Sequence, residues 1–115
     1  HLIAEGLVIP PCNFSFIFGV RWGMRFDPAL LDYLIGRLPP TSRWGAIFIQ
    51  STDFGPHLAA ARAGASVIRT GFEDSIHYDG KTAMTNAELV AALRKKLETE
   101  GFTIASTGEA RSILL

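Results

Sequence analysis

The sequence is poor in cysteine and carries no excess charge of either sign. Cys12 is the sole cysteine, which excludes an intrachain disulfide and favours a reducing compartment, so we expect a cytoplasmic protein. Eleven basic residues balance eleven acidic ones, and a neutral chain lacks the electrostatic signature of nucleic-acid binding. No apolar run approaches the roughly 20 residues of a membrane span, and no secretory signal pattern is present. We therefore expect neither nucleic acid nor a membrane among its partners.

What the sequence does contain is an alternation of strand-like and helix-like segments. Aromatic side chains at positions 14, 16 and 18 repeat with a period of two, which predicts a strand. Asp27 followed by Pro28 predicts a helix start, and a capping-box pattern from Thr85 to Glu88 predicts another. The predicted strands span residues 13–19, 46–50 and 66–71, and the predicted helices span residues 27–38, 56–63, 85–100 and 107–115.

This order predicts an α/β fold with a parallel sheet, because strands separated by helices pair through right-handed crossovers. Three parallel strands with two open edges make a poor free-standing domain, and a (β/α)8 barrel needs about 250 residues. Residues 1–6 also read as the last turn of a helix that ends at Gly6. We therefore expect residues 1–115 to be the C-terminal three strand–helix units of one TIM-barrel domain, with the N-terminal strands missing and the remainder of the barrel as a partner.

The most informative stretch lies at the end of the third predicted strand. Arg69, Gly71 and Glu73 alternate along it, so they would share one side of an extended strand near the mouth of a barrel. Gly71 would leave room for a ligand or metal, and Asp74 would follow at the turn. In that arrangement Glu73 can ligate a divalent metal, and Asp74, oriented by Arg69, can abstract a proton. The spacing alone equally allows a structural Arg–Glu ion pair that ties the strand end to the loop.

The same stretch resembles a known family. Residues 68–74, I-R-T-G-F-E-D, resemble the V-R-x-G-L/F-E-D segment of the β-keto acid cleavage enzymes, which include the 3-keto-5-aminohexanoate cleavage enzyme of lysine fermentation. Residues 85–90, T-N-A-E-L-V, and residues 105–114, A-S-T-G-E-A-R-S-I-L, are similar to later segments of that family. Gly80, Trp44, Leu38-Pro39 and residues 16–19 also fall in register. The resemblance covers the whole chain but only about the C-terminal two-fifths of a family member.

The resemblance implies a specific reaction. Family members are TIM barrels that bind one zinc ion through two histidines and a glutamate, and Glu73 matches that glutamate. Asp74 and Arg69 match the residues that act together in substrate deprotonation. The reaction is an acyl transfer in which a small β-keto acid and acetyl-CoA give acetoacetate and a new CoA ester by retro-Claisen cleavage. Family members commonly form homotetramers. Zinc suits this chemistry because it polarises a keto oxygen as a Lewis acid.

The chain departs from the family pattern at the metal site. The family's two histidine ligands form an H-x-H pair on an early strand, and no H-x-H occurs here. We expect His1, His57 and His77 to be surface or loop residues rather than ligands. We also expect this chain alone to bind zinc weakly and to be inactive, since the histidine ligands and the CoA-binding residues are not among its matched motifs.

Several other residues and functions stay open at this point. Arg21 and Trp22 follow one strand end, and Gln50 and Ser51 follow the next; they either border the active-site mouth or are ordinary loop residues. Phe14, Phe16 and Phe18 are expected to pack in the core. Two alternative functions remain: a different metal-dependent TIM-barrel aldolase or isomerase that uses Glu73, and a non-catalytic truncated fragment. The motifs do not specify which β-keto acid is the substrate.

Overall fold

The helices and strands alternate along the chain, as the sequence predicted. The structure is a computed structural model that describes residues 2–114, so His1 and Leu115, with the predictions made for them, lie outside the described residues. Its elements are β1 (Asn13–Phe18), α1 (Pro28–Ile35), β2 (Arg43–Phe48), α2 (Gly55–Arg62), β3 (Val67–Ile68), β4 (His77–Tyr78), β5 (Lys81–Thr82), α3 (Asn86–Thr99) and α4 (Thr107–Leu114).

The first three strands form a parallel sheet in the order β1-β2-β3. Phe16 lies opposite Ala46, and Gly45 lies opposite Val67. Each neighbouring pair is connected through a helix, which is the βαβ arrangement that parallel pairing requires. The predicted α/β class with a parallel sheet is therefore confirmed.

The two faces of this sheet differ in their surroundings. One face packs against α1 and α2 in an aromatic core, in which Phe18 stacks on Phe48 and both contact the edge of Phe26. Phe14 and Phe16 belong to the same face, so the predicted core packing of the three aromatic residues of β1 is confirmed. The opposite face is open: Ile17 is 45% exposed and Val67 is 43% exposed. Apolar side chains on a sheet face normally require a cover.

A second core lies between α2, α3 and the hairpin formed by β4 and β5. Leu89, Leu93 and Leu97 recur at helical spacing on α3 and are buried against Phe54 and Tyr78. The predicted helix over 85–100 is thus confirmed with its cap, because the Thr85 hydroxyl accepts a hydrogen bond from the Glu88 N–H. The Asp27 side chain caps α1 in the same way, because it accepts hydrogen bonds from the N–H groups of Ala29 and Leu30.

Three predicted elements have different bounds in the structure, and one hairpin was not predicted. β2 begins at Arg43 and ends at Phe48, earlier than the predicted 46–50, and α1 ends at Ile35 rather than at Leu38. β3 has only two residues because the chain turns at Gly71, whose carbonyl oxygen accepts from the N–H groups of both Asp74 and Ser75. The hairpin of β4 and β5 was not predicted, although its Asp-Gly turn is a recognised signal: Asp79 and Gly80 both have positive φ.

The N-terminal turn has the geometry of a helix end. The N–H of Leu7 binds the carbonyl oxygen of Leu2 at 2.9 Å, the N–H of Gly6 binds that of Ile3 at 3.0 Å, and Gly6 has φ +73°. This pair of hydrogen bonds around a left-handed glycine is the motif that closes helices, as predicted for this position. Among residues 2–114, the structure contains no helix with the length and apolarity needed to cross a membrane.

Candidate active site

Arg69 joins two carboxylates where β3 ends. Its Nε donates a hydrogen bond to Asp74 Oδ2 at 3.1 Å, and its Nη2 lies 3.0 Å from Asp74 Oδ1 without hydrogen-bond geometry. The same Nη2 is paired with the carboxylate of Glu73. The three residues predicted for the site are therefore brought together by one guanidinium.

The route by which they meet differs from the prediction. β3 ends at Ile68, so Arg69, Gly71 and Glu73 do not alternate along one continuous strand, and that part of the prediction is wrong. The turn closed on the Gly71 carbonyl oxygen carries Glu73 and Asp74 back toward Arg69. The parallel strands nevertheless place this turn at their carboxyl ends, the edge at which α/β proteins carry their chemistry.

Asn86, the first residue of α3, holds this turn in place and was missed in the sequence. Its Oδ1 accepts a hydrogen bond from the Phe72 N–H at 2.7 Å, and a Cβ at Gly71 would lie 3.3 Å from the same oxygen. A side chain at Gly71 would therefore crowd the Asn86 side chain, and the room predicted there for a ligand or metal stays a prediction. The available signal was its place directly after the Thr85 helix cap, where a polar side chain reaches the preceding loop.

The two carboxylates have contrasting environments. Asp74 is buried, with a relative exposure of 4%, whereas 81% of the Glu73 side chain is exposed. Burial raises the pKa of Asp74 above its ordinary value, the neighbouring Arg69 opposes this, and Glu73 adds to it. A buried carboxylate with a raised pKa, fixed by one guanidinium, is suited to accepting a proton from a substrate.

A cleft of about 650 Å³ lies at the carboxyl ends of β1 and β2. Arg21, Trp22 and Gln50 line it, so three of the four residues considered for the mouth of the site do border a cavity there. Ser51 borders an adjoining cavity of about 170 Å³. The backbone N–H of Gln50 binds the carbonyl oxygen of Asp74 at 2.8 Å, which connects the cleft directly to the Arg69 cluster.

His57 is the clearest error of the sequence prediction. It was expected at the surface, but it is only 3% exposed and its ring lies against Phe48 and Phe54, with ring centroids 4.8 Å and 5.3 Å away. Burial lowers the pKa of His57 to about 4, while a hydrogen bond to the backbone of Arg69 and the charge of Asp53 oppose that shift. His57 is thus a neutral core residue beneath the end of β3.

His77 behaves differently from His57. It is exposed in β4, and its Nδ1 lies 3.2 Å from the Thr82 hydroxyl. Within residues 2–114, no three His, Cys, Asp or Glu side chains converge as a metal-binding group. The assignment of Glu73 as a zinc ligand therefore stays a prediction that needs ligands from elsewhere.

Comparison with known proteins gives a consistent result. A family model for the beta-keto acid cleavage enzymes matches residues 1–115. The chain is 32% identical to the 3-keto-5-aminohexanoate cleavage enzyme of Acetoanaerobium sticklandii over 115 residues, covering 99% of this chain and 42% of that protein. It is 28% identical to the 3-dehydrocarnitine:acetyl-CoA trimethylamine transferase of Rhizobium meliloti over 111 residues, covering 96% of this chain and 37% of that protein. The chain therefore spans about two-fifths of the length of these relatives.

Proposed function

The chain belongs to the beta-keto acid cleavage enzyme family, and from this membership we propose that the whole protein converts a β-keto acid and acetyl-CoA to acetoacetate and a new CoA ester. The observation that carries the proposal is the Arg69 cluster at the carboxyl end of β3. It combines a buried carboxylate of raised pKa, an exposed carboxylate and a shared guanidinium. Both named relatives act on β-keto acids or transfer to acetyl-CoA according to their names.

The proposal includes a TIM barrel completed by chain beyond these residues. The open face of the sheet supports it, because Ile17 and Val67 are apolar and exposed there. A Cβ at Gly45, opposite Val67, would lie 2.7 Å from the Val67 carbonyl oxygen, so the sheet has no room for a side chain at this position. A barrel interior would cover this face with side chains from the remaining strands.

In this proposal Asp74 is the general base. Its carboxylate takes the proton from the carbon between the two carbonyl groups of the β-keto acid, and the resulting carbanion attacks the thioester carbonyl of acetyl-CoA and expels CoA thiolate. The thiolate then attacks the original keto carbon, and cleavage of the carbon–carbon bond releases acetoacetate and the new CoA ester. The raised pKa supports this role, because a carboxylate whose pKa lies nearer the working pH is a stronger base and transfers the proton more efficiently. The turn around Gly71 and the Gln50 N–H fix the backbone on which the carboxylate is carried.

Arg69 acts through Asp74 and on the substrate. Its Nε keeps Asp74 Oδ2 in a fixed position, and its side chain remains 41% exposed, so part of the guanidinium faces the open end of the site. A guanidinium there favours the ionised form of Asp74 and neutralises the negative charge that develops when the substrate loses its proton.

Glu73 fits the role of one carboxylate ligand to zinc. It is exposed and paired with Arg69 through one oxygen, and the other oxygen has no partner within residues 2–114. Zinc would supply Lewis-acid polarisation of a substrate carbonyl. A zinc site needs at least three protein ligands, so the remaining ligands of the proposed site must come from outside the described residues.

The test is an assay of the full-length protein with acetyl-CoA and a panel of β-keto acids, including 3-keto-5-aminohexanoate and 3-dehydrocarnitine. We expect acetoacetate and a CoA ester from at least one of them, and no turnover when acetyl-CoA is omitted. Turnover without acetyl-CoA would favour an aldolase-type reaction at the same site. Zinc-loaded protein that forms no CoA ester from any member of the panel would contradict the proposed function.

A further inference from the structure

The cleft at the ends of β1 and β2 contains two arginines without acidic partners. Arg21 and Arg25 both line it, and no Asp or Glu is among its lining residues. Neither arginine forms an ion pair within residues 2–114. Two guanidinium groups therefore line a cleft to which the described part of the chain contributes no carboxylate.

Four of the described basic residues outside the cleft are ion-paired. Arg62 pairs with Glu100, Arg94 pairs with Glu98, and Lys96 pairs with Asp79. Arg69 contacts two carboxylates. Further basic residues, Arg37 and Lys95 among them, form no ion pair within residues 2–114, so what distinguishes Arg21 and Arg25 is that both line one cleft that no carboxylate lines.

The loop that carries Arg21 and Arg25 is closed by its own backbone. The Gly19 N–H binds the Met24 carbonyl oxygen at 2.8 Å, and the Gly23 N–H binds that of Val20 at 2.8 Å. The guanidinium carbon of Arg21 lies 5.2 Å from the centre of the Trp22 ring, a cation–π distance. The loop thus places both arginines at the cleft, and the Trp22 ring contacts the guanidinium of Arg21.

We propose that Arg21 and Arg25 bind an oxyanion group, a carboxylate or phosphate, that a ligand of the reaction carries away from its reacting carbons. Guanidinium groups bind such groups through charge-assisted hydrogen bonds. The reaction in this proposal is that of the proposed function, on which this inference rests. The cleft is placed next to the site by Gln50, which lines the cleft while its N–H binds the carbonyl oxygen of Asp74. Two sources share this chemistry: a second acidic group on the β-keto acid, and the phosphates of CoA.

The cleft also disfavours one class of substrate. The two relatives are named for a keto acid with an amino group and for a trimethylamine transfer. A protonated amino or trimethylammonium group would be repelled by two unpaired guanidinium groups. If the bound oxyanion group belongs to the β-keto acid, we expect the protein to prefer an acid that is anionic at the end remote from its reacting carbons over one that is cationic there.

The experiment compares the full-length wild type with the Arg21→Gln/Arg25→Gln double variant. The substrates are β-keto acids of equal length that end in a carboxylate, a methyl group or an ammonium group. A charge-assisted contact contributes enough that kcat/KM for the carboxylate-ended acid should fall about tenfold or more in the variant, with little change for the methyl-ended acid. If CoA is the source, the KM for acetyl-CoA rises instead by a similar factor for every acid.

Arg37→Gln is the matched control, because Arg37 is an exposed arginine that follows α1 and is absent from the cleft lining. A double variant whose kinetics match this control for all acids and for acetyl-CoA would overturn the proposal. If the wild type turns over none of the acids, the proposed function fails, and the cleft is judged by binding of inorganic pyrophosphate measured by calorimetry. Binding that is lost in the double variant alone then supports the oxyanion site, and equal binding or no binding in all three proteins overturns it.

Discussion

At the scale of single residues, the site depends on how differently two neighbouring carboxylates are placed. Glu73 is mostly exposed and Asp74 is buried, although both reach the same guanidinium. The sequence showed that a basic and two acidic residues lie within six positions, but it could not show which carboxylate is buried. That distinction arises from the turn at Gly71 and from Asn86, which are tertiary features.

The raised pKa of Asp74 predicts the pH dependence of the full-length enzyme. The base must be ionised to accept a proton, so kcat/KM should fall as the pH decreases through the raised pKa, at a higher pH than for an exposed aspartate. The Asp74→Asn variant should lose about 10²–10⁴-fold in kcat and lack this acid limb. Asp32→Asn, on the exposed side of α1, is the control. An unchanged acid limb in the Asp74→Asn variant would rule out this assignment.

His57 gives a prediction about stability. Its pKa is about 4 in the folded protein and 6.5 ordinarily, so the unfolded chain binds the extra proton between these values. The contribution of His57 is therefore complete above pH 6.5 and is lost as the pH falls toward 4. Asp74 acts in the opposite sense, because its raised pKa makes proton uptake stabilising. Comparing the unfolding free energy of the wild type with that of a variant lacking His57 cancels the contribution of Asp74 and isolates that of the histidine.

Replacing His57 by Gln removes the titration and keeps a side-chain donor for the backbone of Arg69. Between pH 7.5 and pH 5, the wild type should lose about 2 kcal/mol more unfolding free energy than His57→Gln, measured by urea denaturation at both pH values. The exposed His77→Gln variant should follow the wild type. Equal pH dependence of the wild type and His57→Gln would show that His57 is not held neutral.

At the scale of secondary structure, local signals predicted the elements well where capping and spacing decide them. The caps at Asp27 and Thr85, and the apolar spacing of α3, required no tertiary information. The ends of β2 and β3 were shifted, because strand length is set by pairing with neighbours and by the turn at Gly71. The burial of His57 was missed because it also depends on tertiary contacts. A polar residue near a helix start was expected at the surface, but Phe48 and Phe54 pack against its ring.

The junction between β1 and β2 gives a prediction at this scale. Gly19 has φ +86°, and a Cβ there would overlap the carbonyl oxygen of Ile49. Gly64 has φ +91°, but no atom lies within 4 Å of a Cβ placed there. The two glycines therefore share a backbone conformation and differ in the room available for a side chain. Gly64→Ala should cost about 1 kcal/mol of unfolding free energy, and Gly19→Ala about 3 kcal/mol or more, by urea denaturation. Equal costs would mean that the strands separate easily at this point.

At the scale of the whole molecule, the chain has one covered and one open sheet face. The aromatic core and the parallel order were predictable, since periodicity and alternation are local patterns. The barrel was predicted from the alternation of strands and helices and from the open sheet edges, but nothing within residues 2–114 covers Ile17 and Val67, so the barrel stays a proposal. The same holds for the remaining zinc ligands, since residues 2–114 contain no complete metal-binding group.

The most direct test of the account is the zinc content per chain of two isosteric variants of the full-length protein, Glu73→Gln and Asp74→Asn. Both should fail to form acetoacetate, but for different reasons. Elemental analysis should find zinc strongly reduced in Glu73→Gln, which lacks a ligand, and close to the wild-type content in Asp74→Asn, which lacks only the base. Equal zinc in both variants, or acetoacetate formation by either at the wild-type rate, would contradict the roles assigned to these adjacent carboxylates.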